Sequence, residues 1–180
     1  MRQFNIIAAM DIERGLGKDN GIPWHIPADM KWFKVHTSTP IADGKINACV
    51  MGRRTWESLP DSYRPLPDRL NVVISSNPDY ELPEGVLLAE SLDVALTLLA
   101  QGDLASRVGE VFVIGGAQLY GTAIQHPNLQ RLLVTYVWSK TNCDCFFPEW
   151  DGDSFVGTYA SNVYVGAKHN YSFKVFQKIK

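Results

Sequence analysis

The sequence predicts one α/β domain with a central, mostly parallel eight-stranded sheet, helices on both faces and an antiparallel edge hairpin at its C-terminal end. Three observations predict it. Short apolar runs alternate with helix-like stretches over most of the chain, the pattern of βαβ units whose crossover helices cover a parallel sheet. In the last strand-like run Phe173, Val175 and Ile179 alternate with Lys174, Lys178 and Lys180, as in an antiparallel strand buried on one face. At 180 residues the chain has the size of one domain, able to bury roughly 70% of its unfolded surface.

Residues 4–10 read as a short buried strand. Residues 11–26 are polar and contain Gly15, Gly17 and Gly21; a loop of this length without periodicity is commonly functional. Residues 28–36 are helix-like, and a connector with Pro40 and the turn pair Asp43-Gly44 follows. Residues 46–51 form a strand, residues 53–59 a helix and residues 60–67 a proline-rich loop. Residues 70–75 and 86–89 are strands separated by a turn at Asn77-Pro78. Ser91 is a suitable N-cap for a helix whose apolar stripe is Leu92, Ala95, Leu96 and Leu99, with Gly102 as its stop. Residues 110–114 are a strand broken by Gly115-Gly116, residues 117–124 a helix, and residues 131–138, 155–159 and 171–179 the remaining strands.

Composition narrows the function. A hydrophobic share of 46% and a charged share of 20% suit a folded globular chain. A net charge of −2 gives no nucleic-acid footprint. No apolar run is long enough to span a bilayer, and the first residues lack a signal-peptide pattern, so a cytoplasmic protein is expected. The three cysteines, Cys49, Cys143 and Cys145, fit reduced thiols. Cys143-Asp144-Cys145 has no second Cys or His pair at ligand spacing, so no metal is expected.

The most informative residue is Asp29, in Ile22-Pro23-Trp24-His25-Ile26-Pro27-Ala28-Asp29-Met30-Lys31-Trp32-Phe33. On a helix, Trp32 and Phe33 follow it at three and four residues and share adjoining parts of one face. Apolar rings around a carboxylate destabilise its charged form, which suits a general acid or a binder of a cationic heterocycle. Read alone, Asp29 is better explained as complementing the amides of the first helical turn, where Asp is enriched.

Three strand ends carry anion-friendly chemistry, and open α/β sheets bind ligands there. Gly115-Gly116-Ala117-Gln118-Leu119-Tyr120 lets backbone approach a pyrophosphate and offers a helix start, though a double glycine is also a plain turn. Gly52-Arg53-Arg54-Thr55 joins a glycine turn, two guanidiniums and a hydroxyl, or is a solvated basic helix start. Ser75-Ser76 adds two hydroxyls. Together they fit a dinucleotide with an extra phosphate, NADP rather than NAD. Arg69 abuts an apolar strand; its partner is either a ligand carboxylate or an internal acid among Asp68, Asp61 and Glu57.

In their order and spacing these motifs resemble dihydrofolate reductase nearly end to end. The carriers are Gly21-Ile22-Pro23-Trp24 through Asp29, Met51-Gly52-Arg53-Arg54-Thr55-Trp56-Glu57-Ser58, Arg64-Pro65-Leu66-Pro67-Asp68-Arg69 and Ile114-Gly115-Gly116. The resemblance implies NADPH-dependent reduction of 7,8-dihydrofolate to tetrahydrofolate, with hydride transfer to pterin C6 and protonation at N5, in support of one-carbon metabolism. It implies that Asp29 holds the pterin, with Thr135 sharing its hydrogen bonds, Trp24 placing a water and Tyr120 near the nicotinamide. Ile7, Met30, Phe33, Leu59, Leu66 and Ile114 would form the slot for the rings, and Arg69 would take a carboxylate of the glutamate tail with Lys34 and Arg64 as outer charges. Ala9 and Leu16 would flank the nicotinamide. Gly52, Arg53, Arg54, Thr55, Ser75, Ser76, Gly115, Gly116, Ala117, Gln118 and Leu119 would hold the cofactor, with an adenosine-binding subdomain over about residues 47–108. Residues 11–26 would be a closing loop steadied by Asp144. Expected small-molecule partners are dihydrofolate and antifolates. A monomer is expected, and the end of the chain at Lys180 suggests a free-standing reductase rather than one fused to thymidylate synthase. Cys143, where some bacterial members have glycine, and the extra residues in 37–48 and at Asp61-Ser62-Tyr63 are departures in loops.

Overall fold

Strand β1 (Phe4–Asp11) lies inside the sheet because its run is apolar on both sides: Ile6, Ala8 and Met10 enter one core and Ile7 the other. The computed structural model describes residues 1–179. The other strands are β2 (Gly15–Gly17), β3 (Ile46–Gly52), β4 (Arg69–Ile74), β5 (Leu87–Ala89), β6 (Val108–Val113), β7 (Leu129–Val137), β8 (Cys145–Phe146), β9 (Phe155–Ala160) and β10 (Tyr171–Lys178). Eight of them form one sheet in the order β5-β4-β3-β6-β1-β7-β10-β9. Neighbours from β5 to β7 pair in parallel; β10 runs antiparallel to both β7 and β9. The expected architecture is therefore observed, hairpin included.

Helices α1 (Pro27–Ser38), α2 (Arg53–Ser58), α3 (Leu92–Leu98), α4 (Gly102–Arg107) and α5 (Ala117–Gln125) complete the fold. The stripes of α3 and α5 explain one face: Leu92, Ala95, Leu96 and Leu99 join Ala123 and Ile124 against Ile6, Val50, Val72 and Val113. On the opposite face Trp32 and Phe33 of α1 and Trp56 of α2 pack over Ile7, Cys49, Met51 and Leu133. Pro27 starts α1, where its missing N–H costs nothing, and Asp29 lies in the first turn. The hydroxyls of Thr37 and Ser38 donate back to the carbonyls of Phe33 and Lys34, each at 2.7 Å, and close the helix before Pro40. Ser91 caps α3 as its position suggests, accepting from the Val94 amide at 3.2 Å.

Three local expectations are corrected. The 11–26 loop contains β2, which pairs with β8 in a separate two-stranded sheet; three residues with two glycines carry no readable alternation. The helix expected to run to Gly102 ends at Leu98, and Gly102, with φ +51°, opens the unforeseen α4. In β10 the alternation is incomplete: Phe173 is buried, but Ile179 is 54% exposed beyond the strand, and Lys180 lies outside the described residues. The even positions are also covered, since Ser172 is buried and Phe176 packs against the α3–α5 core.

Helix α4 fully buries no residue; Leu104 packs partly buried against the core, and further anchorage comes from a partner distant in sequence. Arg2 supplies it. Its guanidinium donates to the carbonyls of Leu99 (3.0 Å), Gly109 (3.2 Å), Ala105 (2.7 Å) and Val108 (2.8 Å), with a longer contact to Leu104 at 3.4 Å. Such charge-assisted bonds satisfy the carbonyls that helix ends leave open. We expect Arg2→Ala to lower unfolding free energy by about 2–3 kcal/mol. Urea denaturation measures that loss, and hydrogen exchange should show α4 opening before the sheet.

Candidate functional site

The carboxyl ends of the parallel strands meet the α1 side of the sheet, and the chemistry foreseen in the sequence gathers there. Asp29 projects from the first turn of α1 and pairs with the hydroxyl of Thr135, a residue of β7 that is itself 1% exposed. Thr135 stands beside Ala9 of β1 in the parallel register. Trp24, also buried, packs with Ile26, Val137, Ala9 and Ala28, and its indole N–H has no hydrogen-bond partner among the described residues. Burial pushes the Asp29 carboxyl above its ordinary range, and the Thr135 hydrogen bond opposes that shift without cancelling it.

Below Asp29 an apolar face runs along α1. Phe33 packs with Ile7, Ile114, Leu66 and Leu59, which belong to two adjoining clusters of the α1–α2 face. Asn71, 3% exposed, fixes the loop that carries Leu66: its side-chain oxygen accepts from the Leu66 amide, and its NH2 donates to the Leu66 carbonyl, both at 2.9 Å. Met30 and Lys34, foreseen as slot and rim residues, are exposed on α1. That face ends at Arg69, which is 8% exposed. Its Nε donates to the Pro67 carbonyl at 2.8 Å and one Nη to the Thr37 hydroxyl at 2.9 Å. Eight residues of helix separate Asp29 from Thr37, a rise of about 12 Å.

Of the internal acids considered for Arg69, Asp61 binds Arg64, and Glu57 faces Arg53 at 3.6 Å while accepting from the Tyr80 hydroxyl at 3.0 Å. Among the described residues no carboxylate forms an ion pair with Arg69. A buried guanidinium with unfilled donors and no acid is a poor structural element and a good receptor for a carboxylate. Arg64, by contrast, is engaged: it also donates to the Glu57 carbonyl and lies 5.9 Å over the Trp56 ring.

The three glycine- and hydroxyl-bearing strand ends are adjacent. The Gly52 amide donates to the Gly115 carbonyl at 2.8 Å, and a Cβ at Gly116 would stand 3.2 Å from the Thr55 hydroxyl. The Gly115–Gly116 peptide is cis, and Gly115 has φ +123°, a conformation other residues rarely adopt. A Cβ there would also meet the Tyr120 ring at 3.4 Å. Tyr120 is buried in α5 and donates its hydroxyl to the Ile7 carbonyl at 2.8 Å; burial first, and then the charge of Asp29, push its phenol pKa far up. One strand over, Gly52 aligns with Ile74, so Ser75 follows the β4 end beside α2. Ser75 is buried and accepts from the Asn77 amide, whereas Ser76, Arg53 and Arg54 are exposed. Of the remaining positions, Gln118 is exposed, Ala117 is half-buried, Leu119 turns into the α3–α5 core and Leu16 lies in β2 against that core.

Two residues that sequence reasoning missed matter here. Thr37 orients Arg69, and its only signal was a hydroxyl four residues after Phe33. Asp11, at the end of β1, gathers the start of the 11–26 loop. Asp144 does contact that loop, accepting from the Asp19 amide at 2.9 Å, while its own amide donates to the Gly17 carbonyl at 3.0 Å.

Comparison with known proteins identifies the family. A family model described as dihydrofolate reductase matches residues 3–180. Dihydrofolate reductase of Pneumocystis carinii is 38% identical, with 87% of each chain covered. The bifunctional dihydrofolate reductase-thymidylate synthase of Glycine max is 37% identical over 99% of this chain, which spans only 34% of that protein's length. The solved structure of Schistosoma mansoni dihydrofolate reductase superposes with a TM-score of 0.87 at 35% identity, covering 99% of both chains.

The raised pKa of Asp29 has a consequence for stability. A folded-state value above the unfolded 3.8 means that the folded protein holds this proton more tightly. The resulting stabilisation is complete below the unfolded value and is lost as pH rises through the folded one. Asp29→Asn, which removes the buried charge, should therefore raise the melting temperature at pH 7. The difference should shrink as pH falls toward 3.8, as followed by calorimetry at a series of pH values.

Proposed function

The chain belongs to the dihydrofolate reductase family, and on that premise we propose that it reduces 7,8-dihydrofolate to tetrahydrofolate at the expense of NADPH. One observation carries the reading: an apolar face with a carboxyl of raised pKa at one end and, at the other, a buried arginine that has no acid partner among the described residues. Dihydrofolate has the matching order of a heterocycle, an aryl ring and a glutamate.

Asp29 and Thr135 hold the edge of the pterin, where a carboxyl whose proton burial holds more tightly than usual can share that proton with the heterocycle. Ile7, Phe33, Leu59, Leu66 and Ile114 enclose the rings, with Met30 at the mouth. Arg69, oriented by Thr37 and the Pro67 carbonyl, takes the glutamate α-carboxylate bidentately, and Lys34 and Arg64 supply outer positive charge. The unpartnered N–H of Trp24 orients a water through which a proton reaches N5.

The cofactor site is the set of strand ends. Gly115 and Gly116 admit the dinucleotide backbone, and the amides of Ala117, Gln118 and Leu119 at the start of α5 face its diphosphate. Gly52, Arg53, Arg54, Thr55, Ser75 and Ser76 bind its remaining phosphate, within an adenosine-binding subdomain of about residues 47–108. Ala9, Leu16 and Tyr120 border the nicotinamide. The bound cofactor supplies the hydride for C6. Residues 11–26 close over the site and exclude water, which strengthens every electrostatic contact inside.

The direct test is loss of NADPH absorbance on adding dihydrofolate, run beside NADH. Rapid oxidation with a strong preference for NADPH is expected, and Asp29→Asn should lose most of that turnover at neutral pH. Oxidation at equal rates with both nucleotides would remove the phosphate role of Arg53 and Arg54, and full activity of Asp29→Asn would remove the pterin role of Asp29.

Arg69→Met gives an independent check. A charge-assisted pair worth about 2–3 kcal/mol should raise KM for dihydrofolate on the order of 100-fold while kcat is largely kept. Dihydropteroate, which lacks the glutamate, should show no such change.

A further inference from the structure

We propose that Asp11 is a positioning residue for the reaction, holding the nicotinamide-side loop in place through its ionised carboxylate. The inference rests on the reductase reading, because it concerns the loop that borders the cofactor. Asp11 is 1% exposed at the end of β1 and, among the described residues, belongs to no ion pair. Its carboxylate has four hydrogen bonds. Oδ1 accepts from the amides of Glu13 (2.9 Å) and Gly15 (2.7 Å), and Oδ2 accepts from the amide (2.9 Å) and hydroxyl (2.8 Å) of Thr141.

The two oxygens thus join two segments that are far apart in sequence. Oδ1 folds the chain just before Leu16, the loop residue assigned to the nicotinamide. Oδ2 seizes the connector between β7 and β8, from which Asp144 reaches the Asp19 amide at 2.9 Å. The loop is clipped to one connector on both sides of Leu16, at Gly15 by Asp11 and at Asp19 by Asp144. The space is filled around the clip. A Cβ on Gly15 would stand 2.6 Å from the Cβ and Sγ of Cys143 and 2.9 Å from Asp11 Oδ1. Burial alone would raise the carboxyl pKa, but the hydrogen bonds together hold it below the ordinary value, so the group is an acceptor throughout the neutral range.

Three of the four contacts come from amides and require an acceptor, and this makes the role testable. In Asp11→Asn an NH2 must face either the loop amides or the Thr141 amide, donor against donor, while size is nearly unchanged. The mobility of the loop is read by hydrogen exchange of residues 12–19 in the protein without ligands. Function is read by NADPH oxidation and by the isotope effect with deuterated NADPH. We expect amide exchange at Glu13 and Gly15 to rise at least tenfold, kcat to fall about tenfold with a larger isotope effect, and dihydrofolate affinity to stay within twofold. Thr141→Val, which removes one hydrogen bond of the four, should show the same pattern at about threefold, and it decides the matter if Asp11→Asn does not fold. Wild-type exchange in these variants, or faster exchange with unchanged kcat and isotope effect, would overturn the positioning role. Failure of the wild-type protein to reduce dihydrofolate would instead overturn the reductase reading, and is seen separately from the exchange result.

Discussion

The placement of α1 against the sheet is the constraint on which the site depends. Phe33 wedges the helix over Ile7 and Ile114, and Trp32 stacks on Phe173 of the C-terminal hairpin with ring centroids 4.5 Å apart. These contacts fix the rotation of the helix about its axis. With that rotation set, Asp29 must meet Thr135 near the strand ends and Thr37 must lie over the start of β4, where Arg69 is held. A helix turned by one residue, about 100°, would carry Asp29 out of the slot and bring Met30 in. The packing is therefore a specificity device as well as a source of stability.

The same reasoning explains why the sheet tolerates costly groups in its interior. A guanidinium without an acid and a carboxyl that resists ionisation both detract from folding. Asn71, Thr37 and the Pro67 carbonyl offset part of that cost by filling donors and acceptors around Arg69 and Leu66. What they leave open, the remaining donors of Arg69 and the N–H of Trp24, has the polarity a ligand requires.

The sheet and four of the five helices were legible because each follows from a local pattern: buried runs for β1, β3 and β6, a capped stripe for α3, glycine breaks after β3 and β6. Most of the residues now gathered at the site were legible as well, because their types are unusual for their local setting. The rest depends on contacts between distant segments. Helix α4 forms because Arg2, a hundred residues earlier in the chain, covers its open carbonyls. Strand β2 exists only by pairing with β8. Thr37 and Asp11 looked like an ordinary hydroxyl and an ordinary loop acid until Arg69 and Thr141 were beside them.

The strand order has a consequence for the birth of the protein. β1 is made first, yet its two neighbours in the sheet are β6 and β7, which begin at Val108 and Leu129. One of the most apolar segments of the chain therefore leaves the ribosome with no partner for about 100 residues, on the order of 5–20 s of synthesis. During that interval β3, β4 and β5 can pair among themselves and await a centre. The core closes only when the late strands arrive on either side of the earliest one, so the nascent chain must keep β1 from other partners until then.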